Sequence, residues 1–262
     1  MIRSLYTGAT GMAAMSDNIS VIANNLANTG TTGFKKSRAE FQDLLYQTSR
    51  MPGTDTEQGT QVPTGLQIGV GVQMVATAKS FAQGALAQTS NQLDLAIQGQ
   101  GLFQVLQPDG TTAYTRAGSF QLDSTGTMVT PNGQPLEPII KIPNNALSVT
   151  VSQTGQVSVL QPGSVAPAVI GQIQLAAFAN APGLLSLGNS LYKETAASGS
   201  PQVGAPGSIE LGTVIQGSIE SSNVNVVEEL TNMIMAQRAY EMNSKCITTS
   251  DQMMQTANAL KT

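Results

Sequence analysis

The stretch ANNLANTGTTGFKK, residues 23–36, marks the end of a long N-terminal helix. Asn24, Asn25 and Asn28 crowd its last turns, although an asparagine amide competes with the backbone for hydrogen bonds and is a poor interior residue of a helix. We expect Asn28, followed by Thr29-Gly30, to end the helix in a left-handed cap. We also expect Asn24 and Asn28 to hydrogen-bond neighbouring backbones and fix their register. The alternative is a solvated helix end.

Upstream of this stretch, apolar residues recur at alternating steps of three and four residues, which predicts a helix from about residue 3 to residue 28. Its heptad seam is assigned to Leu5, Met12, Ile19 and Leu26. Arg3 and Asp17 are the only charged residues before Lys35. A helix at an ordinary surface carries a charged outer face, and this one does not.

The C-terminal segment from Ser218 to Thr262 contains neither glycine nor proline. Asn225 and Glu228 have the spacing of a helix N-cap and its returning carboxylate, which predicts a helix from there to about residue 260. The apolar seam of this helix is assigned to Val227, Leu230, Ile234, Tyr240, Ile247, Met254 and Leu260.

The region between the two helices has the character of antiparallel β-structure. All 12 prolines lie between Pro52 and Pro206, and PDG, DSTG and PNG separate short alternating segments as hairpin turns. The predicted fold class is α+β, with long terminal helices pairing as a coiled-coil-like domain and an inserted, mainly antiparallel β domain. The predicted domains are 1–45 and 218–262 (the two halves of the helical domain), 46–75 (an extended linker or stiffening segment) and 76–217 (the β domain).

The segment Tyr46–Val72 belongs to neither the helices nor the β domain. Such a long connection is uncommon within a compact domain unless it has a function of its own. Pro52 and Pro63 restrict the backbone, and Leu66 and Ile68 begin an alternating apolar pattern that suits a strand. We expect a long extended excursion that packs on adjacent subunits and stiffens the assembly.

The composition excludes several classes of function. The chain has no histidine, so catalysis by histidine and histidine-ligated metal sites are excluded. We expect no cofactor and no metal. Its formal charge of −4, without a basic cluster, argues against nucleic acid. We find no signal peptide and no apolar run long enough to insert into a membrane. A carboxylate pair of the glycosidase type stays open, with the candidates Asp94, Asp109, Asp123, Glu137 and Glu210.

Two one-sided helices must bury their apolar stripes against a partner. They can pair within one chain over a monomeric β enzyme, or their uncharged backs can also be buried by copies of the same protein. Repeated heterologous contacts that do not close give a helical filament. The lack of charge on the helix backs favours the assembly subunit.

Several blocks of the sequence resemble the bacterial flagellar rod and hook proteins. They are NNLANTGTTGFK, SNQLDLAIQGQGLFQV, YTRAGSFQLD and IESSNVNVVEELTNMIMAQRAYEMNSK, in the order expected for that family. The length and the 46–72 segment are most similar to those of distal rod subunits. The family signature falls on Asn24, Asn25, Asn28, Thr29, Gly33, Phe34, Lys35, Gln237, Arg238 and Tyr240.

The resemblance implies a structural protein without catalysis, which assembles as a hollow helical homopolymer. It implies proximal rod subunits, the hook protein and the P and L ring proteins as neighbours in a rod that spans the periplasm and transmits torque. It further implies export from the cytoplasm by the flagellar type III apparatus, without a cleaved signal peptide. The alternatives are a proximal rod or hook subunit, or a secreted β-rich glycan hydrolase that uses carboxylates.

Overall fold

The computed structural model describes residues 2–53, 63–163, 166–208 and 211–259. The chain divides into two compact units. The first, the helical unit, comprises residues 1–26, 37–78 and 225–262, and the second, the β unit, comprises 27–36 and 79–224. The described residues form helices and antiparallel strands, so the predicted α+β class is confirmed.

Two α-helices are present among the described residues, and both were predicted. Helix α1 spans Ile2–Ala27 and helix α2 spans Val226–Ala259. The side-chain oxygen of Asn225 accepts hydrogen bonds from the amides of Val227 (3.1 Å) and Glu228 (3.5 Å), so Asn225 is the predicted N-cap. Within the described residues, neither helix combines the length and apolar content that crossing a bilayer requires.

The two helices run antiparallel within the helical unit and contact each other through small and polar residues. The hydroxyls of Ser4 and Ser250 share a hydrogen bond of 3.2 Å. A methyl group added to Gly8 would lie 2.9 Å from Ile247, and one added to Gly11 would lie 2.8 Å from the amide of Asn243. These glycines therefore allow the helices to approach closely, while a continuous coiled-coil seam stays a prediction.

The helical unit also contains two pairs of strands. Strand β1 pairs with β4, and β2 pairs with β3 in an antiparallel hairpin whose register sets Tyr46 opposite Gly69. The four strands are β1 Ser37–Asp43, β2 Tyr46–Arg50, β3 Leu66–Gly69 and β4 Val72–Lys79.

The β unit is built on a seven-stranded antiparallel sheet in its described part. The strand order is β16-β17-β8-β7-β15-β18, and β11 pairs with the remaining length of β7. A three-stranded sheet, β12-β13-β14, and the pairs β19-β6, β20-β5 and β10-β9 complete it. The strands are β5 Leu86–Gln88, β6 Leu95–Gln98, β7 Leu102–Leu106, β8 Thr112–Thr115, β9 Gln121–Leu122, β10 Met128–Val129, β11 Leu136–Glu137, β12 Ser148–Val151, β13 Gln156–Leu160, β14 Ala168–Gln172, β15 Leu175–Ala177, β16 Leu185–Gly188, β17 Leu191–Lys193, β18 Gln202–Gly204, β19 Thr213–Gln216 and β20 Ser218–Glu220.

The main core of the β unit lies on one face of β7. Phe103 and Phe120 pack edge to face, with ring centres 5.2 Å apart, among aliphatic residues such as Ile97, Leu136 and Leu175. The opposite face of the sheet has a smaller apolar cluster around Leu102, Tyr114 and Tyr192. This second cluster lies beside a cavity.

The sequence-based domain bounds differ from these units at three places. Residues 27–36 and 218–224, which the prediction assigned to the helical domain, lie with the β unit. The hairpin of residues 46–69, in contrast, lies with the helical unit.

Candidate assembly surfaces

The first half of α2 carries an apolar stripe that the single chain leaves uncovered. Val227, Leu230 and Ile234, here called the α2 stripe, have 73%, 44% and 58% of their surface exposed. They lie three and four residues apart and therefore share one side of the helix. Tyr240 is also exposed, at 41%. An apolar stripe of this kind on a soluble chain indicates a surface that binds another molecule.

The side of α2 that faces α1 is different. Glu229, Ala236 and Ser250 are buried, and Asn243 and Ile247 are half-buried where Gly11 and Gly8 approach. Of the predicted seam of α2, Ile247 lies against α1 at Gly8. Met254 is half-buried, and Leu260 lies outside the described residues.

The residues of the predicted α1 seam are intermediate in their exposure to solvent. Leu5, Met12, Ile19 and Leu26 are all half-buried. The most buried positions of α1 are instead Gly8, Gly11, Ala14, Ile22 and Asn25. The role of these seam residues in assembly therefore stays a prediction, because the structure contains a single chain that leaves them partly exposed.

Asn25 is a polar link that the sequence analysis did not single out among the asparagines. Its side chain is 1% exposed. Its amide donates to the carbonyl of Ser37 (2.8 Å) and to Oε2 of Glu229 (3.2 Å), and its carbonyl oxygen accepts the amide of Ser37 (2.9 Å). One side chain thus holds α1, β1 and α2 in register within the helical unit. Asn24, by comparison, is exposed.

The prediction of a left-handed cap at the end of α1 is wrong. The helix ends at Ala27, and the carbonyl of Asn28 accepts the amide of Thr31 at 3.1 Å in an ordinary turn. The left-handed residue is Gly33, with φ of 68°. The Asn28 side chain accepts a hydrogen bond from the Thr31 hydroxyl (3.1 Å), which satisfies the polar groups without a left-handed residue. Thr29 is half-buried in this turn.

The signature residue Lys35 belongs to a buried ionic cluster in the β unit. Its ammonium is 2.6 Å from Oε1 of Glu220, and Oε2 of Glu220 binds Nε of Arg116. Lys35 and Arg116 are 1% and 4% exposed, and Glu220 is fully buried. The amide of Gly33 donates to the Glu220 carbonyl at 2.8 Å, so the signature segment and β20 are joined by main chain as well.

Burial and charge shift the pKa values of this cluster. Burial is the largest influence on Lys35 and lowers its pKa, and Arg116 lowers it further against the opposing effect of Glu220. Burial alone would raise the pKa of Glu220. The charge of Arg116 and the hydrogen bonds from Lys35, Arg116 and the Gly84 amide outweigh burial, and the pKa of Glu220 lies below its ordinary value.

The other signature residues are more exposed. The ammonium of Lys79 lies 5.5 Å from the centre of the half-buried Phe34 ring, within the β unit. Gln237 and Arg238 are exposed on α2, and Arg238 pairs with Glu241 at 3.0 Å. A surface pair of this kind adds little to stability.

The β2–β3 hairpin exposes apolar side chains on its described strands. Tyr46, Leu66 and Ile68 are 55%, 55% and 41% exposed, and the adjoining Leu45 is 87% exposed. A hydrogen bond to Asp43 raises the pKa of the Tyr46 phenol above its ordinary value. Pro52 and Pro63 are exposed beyond the two strands. An exposed two-stranded ribbon with apolar side chains is suited to binding another surface.

The candidate carboxylates of the glycosidase hypothesis occupy structural positions where they are described. Asp109 and Asp123 accept hydrogen bonds within their own turns, as the sequence favoured. Asp94 accepts hydrogen bonds from Thr89 and Asn91, and Glu137 accepts one from Thr112. Glu210 lies outside the described residues.

Three protein-family models match this chain. The model of flagella basal body rod proteins matches residues 5–35, and that of the FlgEFG basal body rod C-terminal region matches residues 215–260. The model of the D1 domain of the flagellar hook proteins FlgE/F/G matches residues 96–159. These matches define the class, a protein of the flagellar rod and hook.

Several relatives that match over nearly the full length of the chain are basal-body rod proteins. The flagellar basal-body rod protein FlgG of Buchnera aphidicola subsp. Schizaphis graminum is 52% identical over 99% of this chain and 100% of its own length. The FlgG proteins of Borreliella burgdorferi and Bacillus subtilis are 48% and 41% identical, over 100% of this chain and 99% and 100% of their own lengths. The chain belongs to the flagellar basal-body rod protein FlgG family, and it is a structural subunit of the rod.

Proposed function

We propose that this chain assembles into a hollow helical distal rod, which transmits torque from the motor to the hook. The observation that carries this proposal is the exposure of the α2 stripe. The side chains of Val227, Leu230 and Ile234 are apolar and exposed. A long helix with such an uncovered side is stabilised when a partner molecule buries it.

A second copy of the chain is the partner that fits both terminal helices. On α1 the half-buried seam of Leu5, Met12, Ile19 and Leu26 leaves apolar surface available, and on α2 the stripe lies away from the Gly8–Ile247 contact. Two different surfaces of one chain that bind each other give a heterologous contact. If the rotation does not close, the product is a helical polymer, with the paired helices forming a coiled-coil-like inner layer.

The β2–β3 hairpin is proposed to stiffen the polymer. It lies with the helical unit and exposes Tyr46, Leu66 and Ile68, so its apolar side chains are available to an adjacent subunit. Pro52 and Pro63 lower the entropy lost when this segment becomes ordered against a neighbour. Contacts of this kind between subunits resist bending.

The remaining parts of the proposal rest on the family. We propose proximal rod subunits and the hook protein as the neighbours at the two ends of the polymer, and the P and L ring proteins around it. We propose export from the cytoplasm by the flagellar type III apparatus, without a cleaved signal peptide, to the rod that spans the periplasm. We propose no catalytic activity, and accordingly no release of soluble fragments from purified peptidoglycan.

Assembly of the purified chain tests the central part of this proposal. The full chain is concentrated stepwise, sedimented, and examined by negative-stain electron microscopy. Tubes of uniform diameter with a central lumen are expected above a threshold concentration. Monomers that persist at high concentration contradict the proposal, as does peptidoglycan cleavage that is lost in an Asp94→Asn variant.

A further inference from the structure

The β unit contains a cavity of about 590 Å³ beside the buried ionic cluster. Phe81, Leu102 and Phe178 form apolar parts of its wall, and the cations Lys35 and Arg116 line it as well. Glu220, which pairs with both cations, does not line the cavity, and no other acidic side chain does among the described residues. The charges that this wall presents are therefore positive.

The cluster has one positive charge in excess, because two cations share a single carboxylate. Lys35 donates to Glu220 and to the carbonyl of Ala82, which uses two of the three donors of an ammonium. Arg116 donates to Glu220 and to three backbone carbonyls, which uses four of its five donors. In the described chain, one N–H of each cation is left without an acceptor.

The hydrogen bonds of Arg116 fix its position. The carbonyls of Ile97, Gly99 and Gly101 accept from its two terminal nitrogens. With both cations nearly fully buried, an anion at this wall would meet donors that are already ordered. Hydrogen bonds between charged partners are shorter and stronger than neutral ones, most of all where water is excluded.

We propose that this cavity binds a small organic carboxylate, with its charged group at Lys35 and Arg116 and its apolar part against Phe81, Leu102 and Phe178. A single excess positive charge matches a monoanion. A phosphate dianion would bring a second negative charge that the cluster does not balance, and an unpaired charge away from water is unfavourable. The apolar wall selects for a hydrocarbon tail on the ligand.

Isothermal titration of the full chain with benzoate, below the concentration for polymerisation, tests the proposal. Benzamide has nearly the same shape without the charge, and inorganic phosphate is an anion without the apolar tail. Saturable binding of benzoate is expected, at least about tenfold tighter than binding of either comparison compound. Equal binding of benzoate and benzamide, or no saturable binding of benzoate, overturns the proposal.

A pair of variants keeps the test independent of folding. Gln100 is exposed and lines the cavity, whereas Gln121 is exposed on β9 and does not line it. Gln100→Glu should weaken benzoate binding about tenfold, because it adds a negative charge at the wall. Gln121→Glu adds the same charge elsewhere and should leave binding unchanged. Equal effects of the two variants would overturn the proposal.

The carboxylate bound in this cavity belongs either to a free molecule or to an acidic side chain of a second copy of the chain. Benzoate separates these sources when it is added to the polymerising protein. A higher polymerisation threshold in its presence assigns the site to the side chain of a neighbour, and an unchanged threshold assigns it to a free molecule.

Discussion

Leu230→Asp should abolish assembly at concentrations where the parent polymerises, without unfolding the subunit. Leu230 retains 44% of its exposed surface in the single chain, so the substitution places the charge where water already reaches. Complete burial of a leucine is worth roughly 2.5 kcal/mol, and covering the remaining surface in a polymer therefore contributes about 1 kcal/mol. An unpaired charge in a packed interface costs roughly 3 kcal/mol more. The sum of about 4 kcal/mol corresponds to a roughly thousandfold higher threshold concentration.

Sedimentation over a concentration series measures this threshold, and circular dichroism checks that the subunit is folded. Leu230→Met is the matched control, since it conserves the apolar character and approximate volume of the side chain. Its threshold should stay close to that of the parent. A folded Leu230→Asp variant that polymerises at the parent's threshold would refute the assignment of the α2 stripe to an interface.

Deletion of residues 49–65 should still permit polymerisation, because the terminal helices remain, but the tubes should bend more; curvature equal to that of the parent in electron micrographs would exclude the hairpin as a stiffening element. Glu220→Gln should destabilise the fold by roughly 3–5 kcal/mol at pH 7, since it leaves Lys35 and Arg116 without their carboxylate. The pKa of Glu220 is lowered from 4.5, so the parent should lose this stabilisation only as the pH falls through the lowered value, whereas the variant should lack that acid dependence in pH-dependent denaturation. Asn25→Asp sets a second carboxylate beside the buried Glu229 and should lower stability by about 1–3 kcal/mol in thermal unfolding, with part of the loss recovered at low pH. The exposed Asn24→Asp is its control, and equal losses in the two variants would contradict the role of Asn25.

The local structure of this chain follows well from its sequence. The absence of glycine and proline after residue 217 and the capping oxygen of Asn225 predicted α2 almost to its first residue. The turns at Asp109 and Asp123 were likewise predicted, because an aspartate beside glycine bonds to its own turn. The cap and the turns depend on residues that are close in sequence, so a local sequence pattern is enough to predict them.

The choice of helix face could not be predicted in the same way. The apolar pattern of α2 identifies residues that avoid water. The structure shows that Ala236 and Ser250 are buried, with Ser250 bonded to Ser4 of α1, while Val227 and Leu230 stay exposed. Which apolar face meets the other helix of the same chain depends on close approach at Gly8 and on the partner's shape. The apolar periodicity of α2 does not indicate which of its faces packs on α1.

The polar links between distant segments were also beyond the sequence pattern. Glu220 meets Lys35 and Arg116, which lie far from it in the chain, and a lone glutamate before a helix gives no sign of burial. Asn25 similarly looks like its neighbours Asn24 and Asn28 in sequence. The sequence signal that could have suggested a polar partner on α1 was Glu229, an acidic residue in the first turn of α2 on the side opposite the apolar positions.

An electron cryomicroscopy reconstruction of the assembled polymer shows directly whether a neighbouring subunit covers the α2 stripe. We expect Val227, Leu230 and Ile234 of every subunit to be covered by an adjacent copy, at the densely packed inner layer of a tube. A map in which these three side chains face solvent, on the outer surface or in the lumen, would contradict it.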